Sequence, residues 1–244
     1  MDQKIVLIVG AGDYIGSAIA KRFAQGGFIV CLGRRNGEKL NLIVDEIRSL
    51  GGIAHGFAMD ARKEESVESV FKNIEREIGC IDLVIFNVGG NVFFPILETT
   101  SRVFRKVWEM ATFSGFLTGR EAARYMVPRK RGKIFFTGAT ASLRGAEGYA
   151  AFAAGKAGLR GVAQSLAREL GPKNIHVGHL IIDAGVDTEF VRERIRSSGK
   201  DPNELPPNTL MNPTSVAEAY WNMYHQSPDA WTFEMDLRPF AENW

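Results

Sequence analysis

The chain has 244 residues, enough for one α/β domain that buries roughly 70–75% of its unfolded surface. It is 45% hydrophobic and 24% charged with a formal net charge of +2, a balance that selects no nucleic acid and no membrane surface as partner. Two cysteines, Cys31 and Cys80, make neither a disulfide framework nor a metal site and fit a reducing, cytoplasmic setting. The first strand is expected to begin at Lys4, which leaves no room for a signal peptide, and no apolar run is long enough to span a bilayer.

Along the chain, apolar runs at 5–9, 29–32, 53–59, 83–86, 133–136, 177–182 and 231–237 predict strands. Helical patterns fill the gaps at 15–25, 38–50, 66–78, 101–125, 150–170 and 215–224. Arg129-Lys130-Arg131 before Gly132 reads as a solvated turn, and the alternation of Arg192, Arg194 and Arg196 with Glu193 and Ile195 as an exposed helix. The Pro-, Asn- and Asp-rich stretch 199–213 predicts a mobile loop. Strands alternating with helices predict crossovers and a parallel sheet covered on both faces. No linker or composition break divides residues 1–244, so one domain is expected.

Gly10-Ala11-Gly12-Asp13-Tyr14-Ile15-Gly16 lies directly between the first strand and an amphipathic helix. Such a turn lets backbone amides approach a pyrophosphate at a helix N-terminus, although alone it also fits a purely structural strand-to-helix turn. The second strand runs into Gly33-Arg34-Arg35. Two guanidiniums suit a phosphate by charge and by forked donor geometry; the alternative is two exposed loop arginines. Asp13, a candidate N-cap for the first helix, adds an opposing charge nearby.

Further on, Asp60-Ala61 follows the third strand and Asn87-Val88-Gly89-Gly90 the fourth, while Lys156, Arg168-Glu169-Leu170, Ile175-His176-Val177 and Asp187-Thr188 come in that order. These residues together resemble the short-chain dehydrogenase/reductase family almost from end to end. The resemblance implies a Rossmann-type doubly wound parallel sheet of about seven strands with helices on both faces, binding a nicotinamide dinucleotide. It implies that Gly10, Gly12, Tyr14, Ile15 and Gly16 form the pyrophosphate turn, with Tyr14 where the family's G-x-x-x-G-x-G has its middle glycine. It sets Arg34 and Arg35 at the adenosine ribose, Asp60 and Ala61 at the adenine, and Asn87, Val88 and Gly89 along the cleft. Lys156 would hold the nicotinamide ribose and Thr188 the carboxamide. Gly33 stands where NAD-preferring members carry aspartate, so NADP(H) is expected over NAD(H). Region 189–213 would shape the pocket of a small-molecule substrate. The helices at 101–125 and 150–170 would build a homodimer or homotetramer, with the tail 239–244 packed across a subunit contact.

The expected chemistry departs from the family at three catalytic positions and at the turn before Thr188. Phe152 stands four residues before Lys156, where the family has its proton-donating tyrosine, and Ala139 stands at the serine. A gapless alignment of 104–116 puts Ala111 at the asparagine, and Asp183-Ala184 replaces the usual Pro-Gly with one residue inserted. A positioned general acid contributes ~10²–10⁴-fold and a lost oxyanion donor costs ~3–4 kcal/mol, so the family's usual carbonyl reduction is expected to be slow. Ala111, Ala139 and Phe152 are expected to line an apolar pocket, with Asp183 beside it.

Three readings stay open. Tyr149, seven residues before Lys156, gives a Tyr-x6-Lys spacing that resembles divergent enoyl-thioester reductases and makes it a relocated acid; the alternative is a surface aromatic. Hydride transfer could instead draw its proton from water, Lys156 or Asp183, with enone, imine or quinone acceptors. The third reading is a catalytically inactive NADP(H)-binding sensor or partner subunit. His176 and His179 are three apart on a strand and face opposite sides, so they share no metal.

Overall fold

The computed structural model describes residues 3–241. Seven parallel strands, β1 (Ile5–Val9), β2 (Ile29–Arg34), β3 (Ile53–Ala58), β4 (Ile81–Phe86), β5 (Gly132–Thr137), β6 (Ile175–Ile182) and β7 (Glu234–Leu237), form one sheet in the order β3-β2-β1-β4-β5-β6-β7. The helices are α1 (Ile15–Gln25), α2 (Asn41–Ser49), α3 (Glu64–Glu77), α4 (Ser101–Trp108), α5 (Ser114–Met126), α6 (Ala150–Leu170), α7 (Glu189–Ser197) and α8 (Pro213–Tyr224).

Period-two alternation explains how a strand such as Ile-Val-Leu-Ile-Val is buried on both sides. Val6 and Ile8 of β1 face a core completed by α1, α2 and α8, whereas Ile5, Leu7 and Val9 face α3, α5 and α6. Central β6 is buried at every position, while edge β3 alternates with exposed residues. The two expected histidine faces are seen: His176 stacks on Trp231 and packs edge-on against Phe135, whereas His179 lies under Gly138. The Trp231 stack and the Gln226–Thr232 hydrogen bonds hold 231–232 away from the sheet, so β7 is shorter than the expected strand, although the Phe233 carbonyl still accepts the His179 amide at 2.6 Å.

The expected continuous helix at 101–125 is interrupted by a π-turn over Glu109–Phe113. Its cause lies in the neighbouring helix. Gly155 and Gly158 of α6 let the turn approach so closely that a Cβ at Gly158 would sit 2.5 Å from Thr112 Oγ1. Thr112 Oγ1 then donates to the Gly155 carbonyl at 2.7 Å, in a buried position. Among the described residues no helix is long and apolar enough to cross a membrane, and no group of three or more His, Cys, Asp or Glu residues is placed to hold a metal. Residues 242–244 of the expected aromatic tail lie outside the described residues.

Candidate functional site

The strand order reverses direction at β1, and open α/β sheets bind ligands beyond the strand C-termini at such a switch point. There a cavity of ≈ 670 Å³ runs from the β1–α1 turn to the start of α6. The glycines of the turn have steric reasons. Gly10 has φ +87°, and a Cβ on it would come within 2.7 Å of the Asn87 carbonyl; one on Gly16 would meet Ala11 Cα at 2.7 Å. Beside Gly12 nothing lies within 4 Å, so the open space belongs to the cavity. Asn87 ties the strand ends together, donating to the Gly10 carbonyl at 3.1 Å and accepting from Thr137 Oγ1 at 3.0 Å.

At one end lie the arginines. Arg34 is bound through both Nη atoms to Asp13, at 2.6 and 3.4 Å, so its charge is already countered. Arg35 is exposed and makes no ion pair among the described residues. Gly33 is required by packing: a Cβ there would sit 2.8 Å from Met59 Sδ, so an aspartate side chain has no room. Asp60 and Ala61 also line this end, but the Asp60 carboxylate is held by Arg62 at 2.7 and 2.9 Å, which lowers its pKa below the usual carboxylate range.

At the other end Lys156 forms the floor. Its Nζ donates to the Thr137 carbonyl at 2.8 Å and the Val88 carbonyl at 3.3 Å, and burial pulls its pKa down to about 8. Ala139, Phe152 and Tyr149 line the same end. Tyr149 occupies the N-cap position of α6; its half-buried ring packs edge-on against Phe93 at 5.4 Å and lies 6.4 Å from the Phe152 ring. The Arg194 guanidinium of α7 covers the Tyr149 and Phe93 rings at 5.5 and 5.9 Å.

Tyr14 has a part that glycine could not play. Its hydroxyl accepts the Glu189 amide at 3.0 Å and so ties the β1–α1 turn to the first residue of α7. Thr188 lines the cavity and its Oγ1 caps α7 by accepting from the Val191 amide. Segment 199–213 is irregular but pinned at its far end, where the Met211 amide donates to the Gly185 carbonyl and the Asp187 amide to the Met211 carbonyl, both at 2.9 Å.

Two residues expected at the pocket are elsewhere. Ala111 is fully buried inside the π-turn against α6, where a Cβ on Gly155 would meet its methyl at 3.1 Å; Met110 and Ser114 line the cavity instead. The π-turn adds a residue to its turn and rotates the helix phase that a gapless alignment assumes. Asp183 is 1% exposed and its carboxylate lies between the guanidiniums of Arg144 and Arg238 rather than on the cavity wall. Arg144, which does line the cavity, was missed in the sequence. Its only signal there is a lone arginine within the small-residue stretch 137–148.

Against known proteins, the short chain dehydrogenase family matches residues 4–198. A short-chain dehydrogenase structure from Rhodopseudomonas palustris superposes with a TM-score of 0.83 at 52% identity, covering 97% of this chain and 99% of that one. A probable 2,4-dienoyl-CoA reductase of Bacillus subtilis is 29% identical across 89% of this chain and 87% of its own length. The 3-oxoacyl-(acyl-carrier-protein) reductase of Aquifex aeolicus is 28% identical across 89% and 88%. With a Rossmann-type sheet and a family match over most of its length, the chain belongs to the short-chain dehydrogenase/reductase family of nicotinamide-dependent oxidoreductases.

Proposed function

We propose that the chain is an NADP(H)-dependent oxidoreductase acting on a carbonyl, enone or enoyl, or imine acceptor, with Tyr149 supplying the proton. The observation that carries this reading is one continuous cavity with the Gly10–Gly16 turn and Arg35 at one end and Lys156, Tyr149 and Phe152 at the other. The residues present fit a dinucleotide. The turn is free of Cβ atoms where a pyrophosphate would approach, and unpaired first-turn amides of a helix attract an anion. Arg35 is the uncommitted cation for a 2′-phosphate, and the absence of room for an acidic side chain at Gly33 favours NADP(H) over NAD(H).

A bound reduced nicotinamide supplies the hydride. Lys156, anchored on two strand-end carbonyls, would hold a sugar hydroxyl of the dinucleotide with its remaining N–H. Tyr149 Oη gives its proton to the acceptor atom that gains charge and recovers one from solvent at the cavity mouth. Phe152, buried on the cavity wall, keeps water from the acceptor. Without a hydroxyl at residue 139, polarised alkenes and imines are favoured over simple ketones, consistent with the name of the Bacillus relative.

A homodimer or homotetramer through α4, α5 and α6 belongs to the same proposal, supported by partly exposed Phe104, Trp108 and Phe116 on the first two of these helices. The test of the relocated acid is Tyr149→Phe, assayed with an acceptor that the unmodified chain reduces. It should lower kcat by ~10²–10⁴-fold and leave the NADPH Kd within about twofold. An unchanged kcat sinks the assignment.

A further inference from the structure

We infer that the acceptor carries a carboxylate and that Arg144 binds it; this rests on the reading of the cavity as a hydride-transfer site. Seven charged side chains border the cavity, and six are accounted for. Asp13 with Arg34 and Asp60 with Arg62 are mutually paired, and Arg35 lies with them beyond β2 and β3. Lys156 is 3% exposed and spends two hydrogen bonds on backbone carbonyls. The seventh, Arg144, is paired with Asp183 through one nitrogen only and lies among the apolar walls of the substrate end, beside Ala139, Ala146 and Tyr149, with its side chain 43% exposed.

The guanidinium is held in place. Arg144 Nη2 donates to Asp183 Oδ1 at 3.2 Å and to Oδ2 at 3.3 Å, and Asp183 is itself fixed just after β6 by the hydrogen bond its backbone N–H donates to the Leu237 carbonyl at 2.8 Å. Only Nη2 is engaged, and it carries two hydrogens, one on the edge shared with Nε and one on the edge shared with Nη1; Asp183 held through one of them leaves the other edge as a two-donor fork for a second partner. A planar two-oxygen acceptor matches that remaining fork better than a single carbonyl oxygen does. The local charge balance sets the valence. Arg144, Asp183, Arg238 and Asp236 lie together and sum to zero, so a monoanion is accommodated at far less cost than a phosphate dianion among such apolar walls. A buried acid that anchors an arginine while leaving at least three of its five N–H donors open is the arrangement expected of a positioned anion receptor. The reacting bond then lies at a fixed distance from the acid group, which makes Arg144 a specificity-determining residue.

The test uses the full chain saturated with NADPH and a set of matched probes, from acetate to trans-cinnamate, each paired with its neutral amide. Ligand binding is read by calorimetry. At least one carboxylate should bind ~10-fold or more tightly than its amide, and Arg144→Met should abolish that preference while leaving the NADPH Kd within about twofold. Arg144→Lys should restore part of it. The double variant Arg144→Met, Asp183→Asn guards against misfolding around a buried carboxylate left with Arg238 as its one guanidinium partner. No carboxylate preferred over its amide, or a preference that survives in both Met variants, overturns the inference. Failure of NADPH itself to bind instead removes the cofactor reading on which it stands.

Discussion

Gly138→Ala would test how the sheet is built directly behind the site. A Cβ there would lie 2.5 Å from His179 Nε2, 2.6 Å from its Cε1 and 3.1 Å from Ser142 Oγ. His179 cannot swing away freely. It is fully buried, and its Nδ1 is 3.0 Å from Glu234 Oε2, a carboxylate that Arg160 grips at 2.6 and 2.8 Å. Overpacking costs about 1–3 kcal/mol, and breaking a hydrogen bond to a charged partner adds ~1.5–3 kcal/mol if the imidazole is expelled. The variant should therefore lose roughly 2–5 kcal/mol, read as a lower urea midpoint at unchanged m. His179→Ala should cost ~2–4 kcal/mol on its own through the space it leaves. Combined with Gly138→Ala, the new methyl enters that space, so the double variant should be more stable than the sum of the singles by ~1–3 kcal/mol. Strict additivity, within about 0.5 kcal/mol, would refute the claim that His179 fills the volume Gly138 vacates.

Arg35→Gln should raise the Kd for NADPH ~10-fold or more and leave NADH binding nearly unchanged, whereas Arg34→Gln should do much less because Asp13 already counters Arg34. Burial pulls His176 and His179 down to about 4, so they stay neutral in the folded chain while the unfolded chain takes up protons near 6.5. Stability should accordingly be intact above about pH 6.5 and fall as pH drops towards 4, by on the order of 2 kcal/mol for each histidine, and His179→Asn should flatten that slope. Lys156 is charged below about pH 8, so NADPH affinity should weaken as pH rises through that value and lose this dependence in Lys156→Met. Tyr14→Phe removes the acceptor for the Glu189 amide and should speed hydrogen exchange at the start of α7 without lowering global stability by more than about 1 kcal/mol.

Much of the scaffold was legible in the sequence because its signals are local. The apolar runs give every strand, and the bounds of β1, α1 and α6 coincide with the periodicity. What escaped depends on contacts between distant segments. The π-turn at Glu109–Phe113 exists because Gly155 and Gly158 of another helix admit it, and it turns Ala111 away from the cavity. Asp183 reads as an odd acid near a cleft, yet its role is set by Arg144 and Arg238, 39 residues before it and 55 after. Tyr14 reads as a lost glycine, and only the fold brings Glu189 to its hydroxyl.

The most direct measurement of the central claim is a fluorescence titration with NADPH and NADH, followed in the same cuvette by ketones, enones, enoyl thioesters, imines and quinones. Binding should be saturable and favour NADPH, and an activated double-bond or imine acceptor should consume the bound cofactor well ahead of simple ketones. Tight binding with no acceptor consumed would contradict it and leave a cofactor-binding sensor or partner subunit in its place.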